Sequence, residues 1–220
     1  MNYINELETI FVGHRNKEMA VPMEKYMRNQ FSYLGIKTPE RKKLLKEFFQ
    51  ASAILQKPLQ QDFVLALWEK DEREYQYAAL FYLESIRKKL GPTHLELLEK
   101  LITTKSWWDT VDTIAPKLVG YIAAKHPEVI PAKIDHWAKN NNIWLRRTAI
   151  LFQLKYKERT NEELLLQYIE QNAGEQDFFI RKAIGWALRE YSKTNPQSVK
   201  QIIEKVPLSN LSVREGSKYI

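Results

Sequence analysis

Trp144-Leu145-Arg146-Arg147-Thr148-Ala149 is the stretch on which the reading of the fold turns. Moved forward by 35 positions, it falls on Phe179-Ile180-Arg181-Lys182-Ala183-Ile184. Aromatic meets aromatic, cation meets cation, and small or apolar residues meet their like. The same shift carries Tyr156 onto Tyr191, and the reverse shift carries it onto Tyr121. A period of this length with two helices per unit is the signature of an α-solenoid of HEAT or armadillo type, whose repeats bury their apolar faces by stacking on one another. The reverse shift also carries Arg147 onto Asp112. Asp112, Arg147 and Lys182 thus hold equivalent places on three successive second helices, which predicts a row along one surface.

Helical spacing of apolar residues extends outward from this repeat. It predicts helices over 4–14, 19–31, 38–49, 62–68, 73–88, 93–102, 107–116, 127–137, 144–157, 161–171, 178–193 and 197–205. Thr38-Pro39 reads as an N-cap followed by proline at the first helical position. Ser106 with Asp109 three residues later reads as a capping-box-like start. Gly91-Pro92 reads as a helix stop, and Gly185, inside a helix, as a point of close packing. No alternating strand pattern stands out. With 7 glycines and 9 prolines the chain is poor in the turns an all-β fold requires. The expectation is one all-α domain over 1–220, an α-solenoid of HEAT-like repeats with a basic concave groove.

Composition narrows the chemistry. Thiol catalysis and disulfides are excluded, because there is no cysteine among the 220 residues. The four histidines, His14, His94, His126 and His136, form no ligand pair, so no metal site is expected. There is no Gly-rich phosphate loop and no apolar run long enough to span a membrane. The N-terminus lacks a signal-peptide pattern, and a cytoplasmic location is expected. A formal charge of +7 favours a polyanionic partner, nucleic acid first.

The segment Lys105-Ser106-Trp107-Trp108-Asp109-Thr110-Val111-Asp112 concentrates aromatic and acidic groups. Trp108 and Asp112 are spaced i, i+4 and share a helix face. A ring face beside a carboxylate suits a cation. Trp107 reads as packing and Asp109 as a helix-start residue. On the helix over 178–193, Lys182, Trp186, Arg189 and Lys193 share a second face, suited to phosphates. Ile180, Ala183, Ile184, Ala187 and Tyr191 form the opposite, core face. Trp186 has two readings, core packing or a ligand-facing ring among cations.

Three stretches together resemble the DNA alkylation repair enzymes of the AlkD family. They are Thr104-Lys105-Ser106-Trp107-Trp108-Asp109-Thr110-Val111-Asp112, Ile143-Trp144-Leu145-Arg146-Arg147-Thr148-Ala149, and Phe178-Phe179-Ile180-Arg181-Lys182-Ala183-Ile184-Gly185-Trp186. Met23-Glu24-Lys25-Tyr26-Met27 and Leu34-Gly35-Ile36-Lys37-Thr38-Pro39-Glu40-Arg41 carry the likeness into the N-terminal part. The resemblance implies a monofunctional glycosylase for N3- or N7-alkylated purines in duplex DNA, without metal or other cofactor. By motif position it implies Asp112 as the catalytic carboxylate, Trp108 and Trp186 as aromatic walls, and Arg147 as a phosphate-positioning cation. It puts Tyr26 near DNA, with Lys37 where close relatives carry a polar uncharged residue. A monomer acting on duplex DNA is expected. Two other readings stay open. One is a non-catalytic module binding damaged or branched DNA by shape, which needs the basic row but not Asp112. The other is a protein-binding scaffold, which needs neither.

Overall fold

The structure is a computed structural model that describes residues 3–220. Every regular element among them is helical, and the one strand-like contact is an isolated bridge between Ser32 and Glu72. The fold is an α-helical repeat. The single domain expected over 1–220 gathers its internal contacts into two compact units, 1–89 and 90–220.

The first unit holds α1 (Tyr3–Gly13), α2 (Lys17–Tyr26), α3 (Thr38–Ser52), α4 (Gln61–Glu69) and α5 (Arg73–Ser85). Its core is aromatic: Phe11 meets Tyr75, and Phe63 meets Tyr82 edge to face, with ring centroids 5.4 and 5.5 Å apart. The second expected helix, 19–31, begins earlier and ends at Tyr26, because Arg28 and Asn29 turn to positive φ. Thr38 is not the cap of α3. The capping position belongs to Lys37, with no side-chain hydrogen bond, and Pro39 sits inside the first turn.

Glu74, fully buried on α5, accepts the backbone N–H groups of Leu34, Gly35 and Ile36 at 3.0, 2.9 and 3.1 Å. These bonds satisfy a loop that has no ladder of its own. Gly35 stands at φ +88, and a Cβ there would fall on the Asn16 carbonyl. The loop is thereby held in one shape ahead of Lys37.

The second unit holds α6 (Leu95–Thr103), α7 (Trp108–Ile114), α8 (Gly120–Lys125), α9 (Asp135–Trp137), α10 (Ile143–Leu151), α11 (Glu162–Asn172), α12 (Phe178–Ser192), α13 (Pro196–Lys205) and α14 (Asn210–Gly216). The helix opened at Trp108 does not stop at Pro116. It widens to a π-helical segment over Ala115–Val119 and continues as α8. Proline has no N–H to give and crowds the carbonyl four residues back, and a wider turn relieves both. Pro131 is absorbed in the same way in Ile130–Ile134. The expected 144–157 helix is shorter, ending at Leu151. Helix α14 has no counterpart among the helices expected from the sequence.

Equivalent places in adjacent repeats touch. Trp144 and Phe179, superposed by the sequence shift, meet at a tilt with centroids 4.9 Å apart, and Trp107 joins both rings at 5.8 and 5.0 Å. The Tyr156 hydroxyl donates to the Gly120 carbonyl at 2.6 Å. Ile180, Ala183, Ile184 and Ala187 of α12 are buried with Ile150, Leu165 and Val199 in one apolar cluster.

Candidate functional site

Helix α7 starts without the predicted cap. The Ser106 hydroxyl donates back to the Ile102 carbonyl at 2.6 Å, and Trp107 holds the capping position with no side-chain bond. Asp109 lies in the first turn, where its charge favours the helix dipole. Trp108 and Asp112 are the first and fifth residues of this helix, hence on one face, and both are part-buried.

Arg147 is where the structure departs most from the sequence reading. It is 3% exposed and does not stand in a solvent-facing row. Its Nε donates to Asp112 Oδ1 at 2.7 Å and its Nη2 to Oδ2 at 2.8 Å, a two-point fork. Its Nη1 donates to the Phe179 carbonyl in the first turn of α12. Arg147 thus ties α7, its own helix α10, and α12 together. Burial pushes the Asp112 carboxyl above the usual aspartate range, while the bonds and charge of Arg147 pull against it. The Asp112 side chain keeps 16% exposure. Each carboxylate oxygen, with one bond to Arg147, has a further lone pair for a ligand or water.

The basic face of α12 is also internally paired. Lys182 Nζ lies 2.9 Å from Glu215 Oε1, and Arg189 Nη1 lies 3.3 Å from Glu215 Oε2. Lys218 reaches the same carboxylate at 3.0 Å. Lys193 pairs with Glu190 at 2.6 Å. Glu215 is buried against Gly185, where an added Cβ would lie 2.6 Å from the Glu215 Cβ. The close packing read at Gly185 is therefore what seats α14. Lys182, followed by Lys218, holds the Glu215 carboxyl down at about 2. Trp186 is part-buried and packs on the apolar cluster of this unit.

Tyr26 and Lys37 belong to the first unit, Tyr26 at 73% exposure and Lys37 exposed at the start of α3. Glu215 was not foreseen, because α14 was not. Its only local signal is Ser209, whose hydroxyl caps the Ser212 N–H at 3.1 Å. Among the described residues no group of three or more acidic or histidine side chains is placed to hold a metal ion. No helix among them is long and apolar enough to cross a membrane.

Residues 7–220 match the family described as DNA alkylation repair enzyme. The chain belongs to that family. Among solved structures, the protein described as "Predicted DNA alkylation repair enzyme from Enterococcus faecalis" is 38% identical, with 94% of this chain and 96% of that chain covered and a TM-score of 0.87. The protein described as smu.31 from Streptococcus mutans UA159 is 20% identical over 82% of this chain and 97% of that one, with a TM-score of 0.59, a likeness of fold. No curated protein matches. In this DNA alkylation repair family member, the motif residues Trp108, Asp112 and Arg147 are those that the repeat packing draws to one part of the second unit.

Proposed function

We propose that this protein is a DNA glycosylase that hydrolyses the N-glycosidic bond of purines alkylated at N3 or N7 in duplex DNA, as the AlkD family does. The observation that carries the reading is the Asp112 carboxylate, aimed by the Arg147 fork and sharing a helix face with Trp108. Membership of the repair family supports it.

The chemistry fits the residue types. An alkylated purine bears a positive charge and departs as a neutral base. The leaving group therefore needs no acid, and the work left is to stabilise a cationic sugar and place a water. Asp112, in its ionised form and paired with Arg147, supplies negative charge toward an oxocarbenium-like sugar and a lone pair to orient water. Trp108, and Trp186 if DNA contact draws it from its packed position, add ring faces that attract the same cation. Arg147 acts here as a positioning residue for the carboxylate. Lys182, Arg189 and Lys193, with Tyr26 and Lys37, supply contacts to the DNA backbone. No cofactor is needed for these steps.

Asp112→Asn tests the reading. Single-turnover release of methylpurine from alkylated duplex, at matched saturation and below the melting point of both proteins, should fall by roughly 10²-fold or more. Release at the wild-type rate removes Asp112 from the mechanism. Binding of alkylated or branched DNA with no release by the wild type would favour the non-catalytic module.

A further inference from the structure

We propose that Arg181 is a phosphodiester contact for bound duplex DNA, one that the repeat has left without an internal anion. The argument comes from comparing two equivalent arginines. Arg146 is the fourth residue of α10, and Arg181 is the fourth residue of α12. The Nη1 of Arg146 lies 2.6 Å from Glu175 Oε2, in the loop that leads into the next repeat helix, α12. The corresponding loop ahead of α14 reads Val206-Pro207-Leu208-Ser209-Asn210 and contains no acid. Among the described residues the Arg181 side chain has no hydrogen-bond or ion-pair partner, and its Nε, like that of Arg146, is buried without one. Its backbone carbonyl is meanwhile fixed, accepting the Ser212 hydroxyl at 2.9 Å.

A part-buried guanidinium without an anion is unfavourable unless something supplies the acceptors. The other cations of this face each have a carboxylate within reach, Lys182 and Arg189 sharing Glu215 with Lys218, and Lys193 beside Glu190, whereas Arg181 has none. Arg181 also stands two residues from Phe179, whose carbonyl holds Arg147. The first turn of α12 thus carries both the carbonyl that holds Arg147 and an arginine without an anion. A planar guanidinium matches two phosphate oxygens, so a phosphate of the duplex backbone is the fitting ligand.

This inference rests on duplex DNA being the partner, and its test is kept separate from base release. Affinity for an undamaged, fluorescently labelled duplex is measured from low to physiological salt. The proteins are wild type, Arg181→Gln, Arg181→Lys and Arg146→Gln. Arg181→Gln should lower the slope of log K against log salt by about 0.9, the loss of one phosphate contact. Arg181→Lys, which retains the charge, should keep the wild-type slope. Arg146→Gln removes the same charge one repeat away and should leave the slope unchanged. Melting temperatures of wild type and Arg181→Gln should agree within about 2 °C, since no internal bond is lost. An unchanged slope in Arg181→Gln, or an equal fall in Arg146→Gln, overturns the proposal. A wild type that binds with the expected slope pattern yet releases no methylpurine sinks the glycosylase reading alone. A wild type without affinity for DNA sinks both.

Discussion

Asp112 and Arg147 stand 35 residues apart and meet through two hydrogen bonds of 2.7 and 2.8 Å. The candidate carboxylate is thus aimed by the repeat that follows its own. A shift that superposes two residues in sequence here brings them into contact in space, with opposite charges.

Arg147→Lys separates aiming from phosphate contact. Lysine offers a point charge in place of a fork. Burial already raises the Asp112 pKa, so a weaker partner lets it rise further. A base-release rate that needs ionised Asp112 falls as pH drops through that pKa. Its acid limb should therefore move to higher pH in the variant, by roughly one pH unit if about one pKa unit's worth of interaction is lost. Affinity for undamaged DNA should stay within about twofold, because Arg147 is 3% exposed. A fixed limb with affinity for undamaged DNA lowered well beyond twofold would instead make Arg147 a direct phosphate contact, made through its fork.

Glu215 has a folded pKa of about 2, below the ordinary glutamate value. A lowered carboxylate pKa contributes stability above the unfolded value and loses it as pH falls through the folded one. Wild type should melt above Glu215→Gln at neutral pH, and the gap should close between about pH 5 and pH 2. Added salt should narrow it too, since Lys182 and Lys218 are part-exposed. A gap that stays constant across that pH range rules the carboxylate charge out as its source.

Gly185→Ala tests how α14 is seated. The new Cβ would fall 2.6 Å from the Glu215 Cβ and 3.0 Å from the Ser212 carbonyl oxygen. Neither is the loose end of a side chain, so α14 must shift, at a cost of about 1–3 kcal/mol. The melting temperature should fall by about 2–4 °C for each kcal/mol. A wild-type melt would mean that α12 and α14 pack more loosely than these distances require.

Glu74→Ala removes one acceptor from three backbone donors, those of Leu34, Gly35 and Ile36. Each buried group left unmade costs about 1–3 kcal/mol. Amide hydrogen exchange at these three residues should accelerate more than at the core of α5. Unchanged protection at the three amides would show that Glu74 does not hold the loop.

Much of this was legible in residue spacing. Trp144 and Phe179, matched by the repeat, do touch, and four of the five α12 residues read as core are buried, Tyr191 being part-buried at the cluster's edge. Spacing says which residues are equivalent. It does not say whether equivalents stand side by side or grip one another, which is why Arg147 was read as open and is instead bound. Helix α14 escaped because seven residues carry too few apolar positions to show a period. With it went Glu215, and so the pairing of Lys182 and Arg189. The caps failed for a local reason. Ser106 satisfies a carbonyl of the helix behind it, and a hydroxyl makes that choice in three dimensions.

Solenoids commonly tolerate gain or loss of whole repeats, since each unit contacts only its neighbours. The bond from Asp112 to Arg147 withdraws that freedom here. Excising 113–147 would leave the helices in phase, yet it would bring Lys182 into the place of Arg147. An ammonium would then face the carboxylate, without the fork and without the grip on Phe179. Inserting a unit at the same joint would part the two residues altogether. The spacing of a charge pair fixes the joint between these two repeats, and length variants should arise on either side of 112–147 rather than within it.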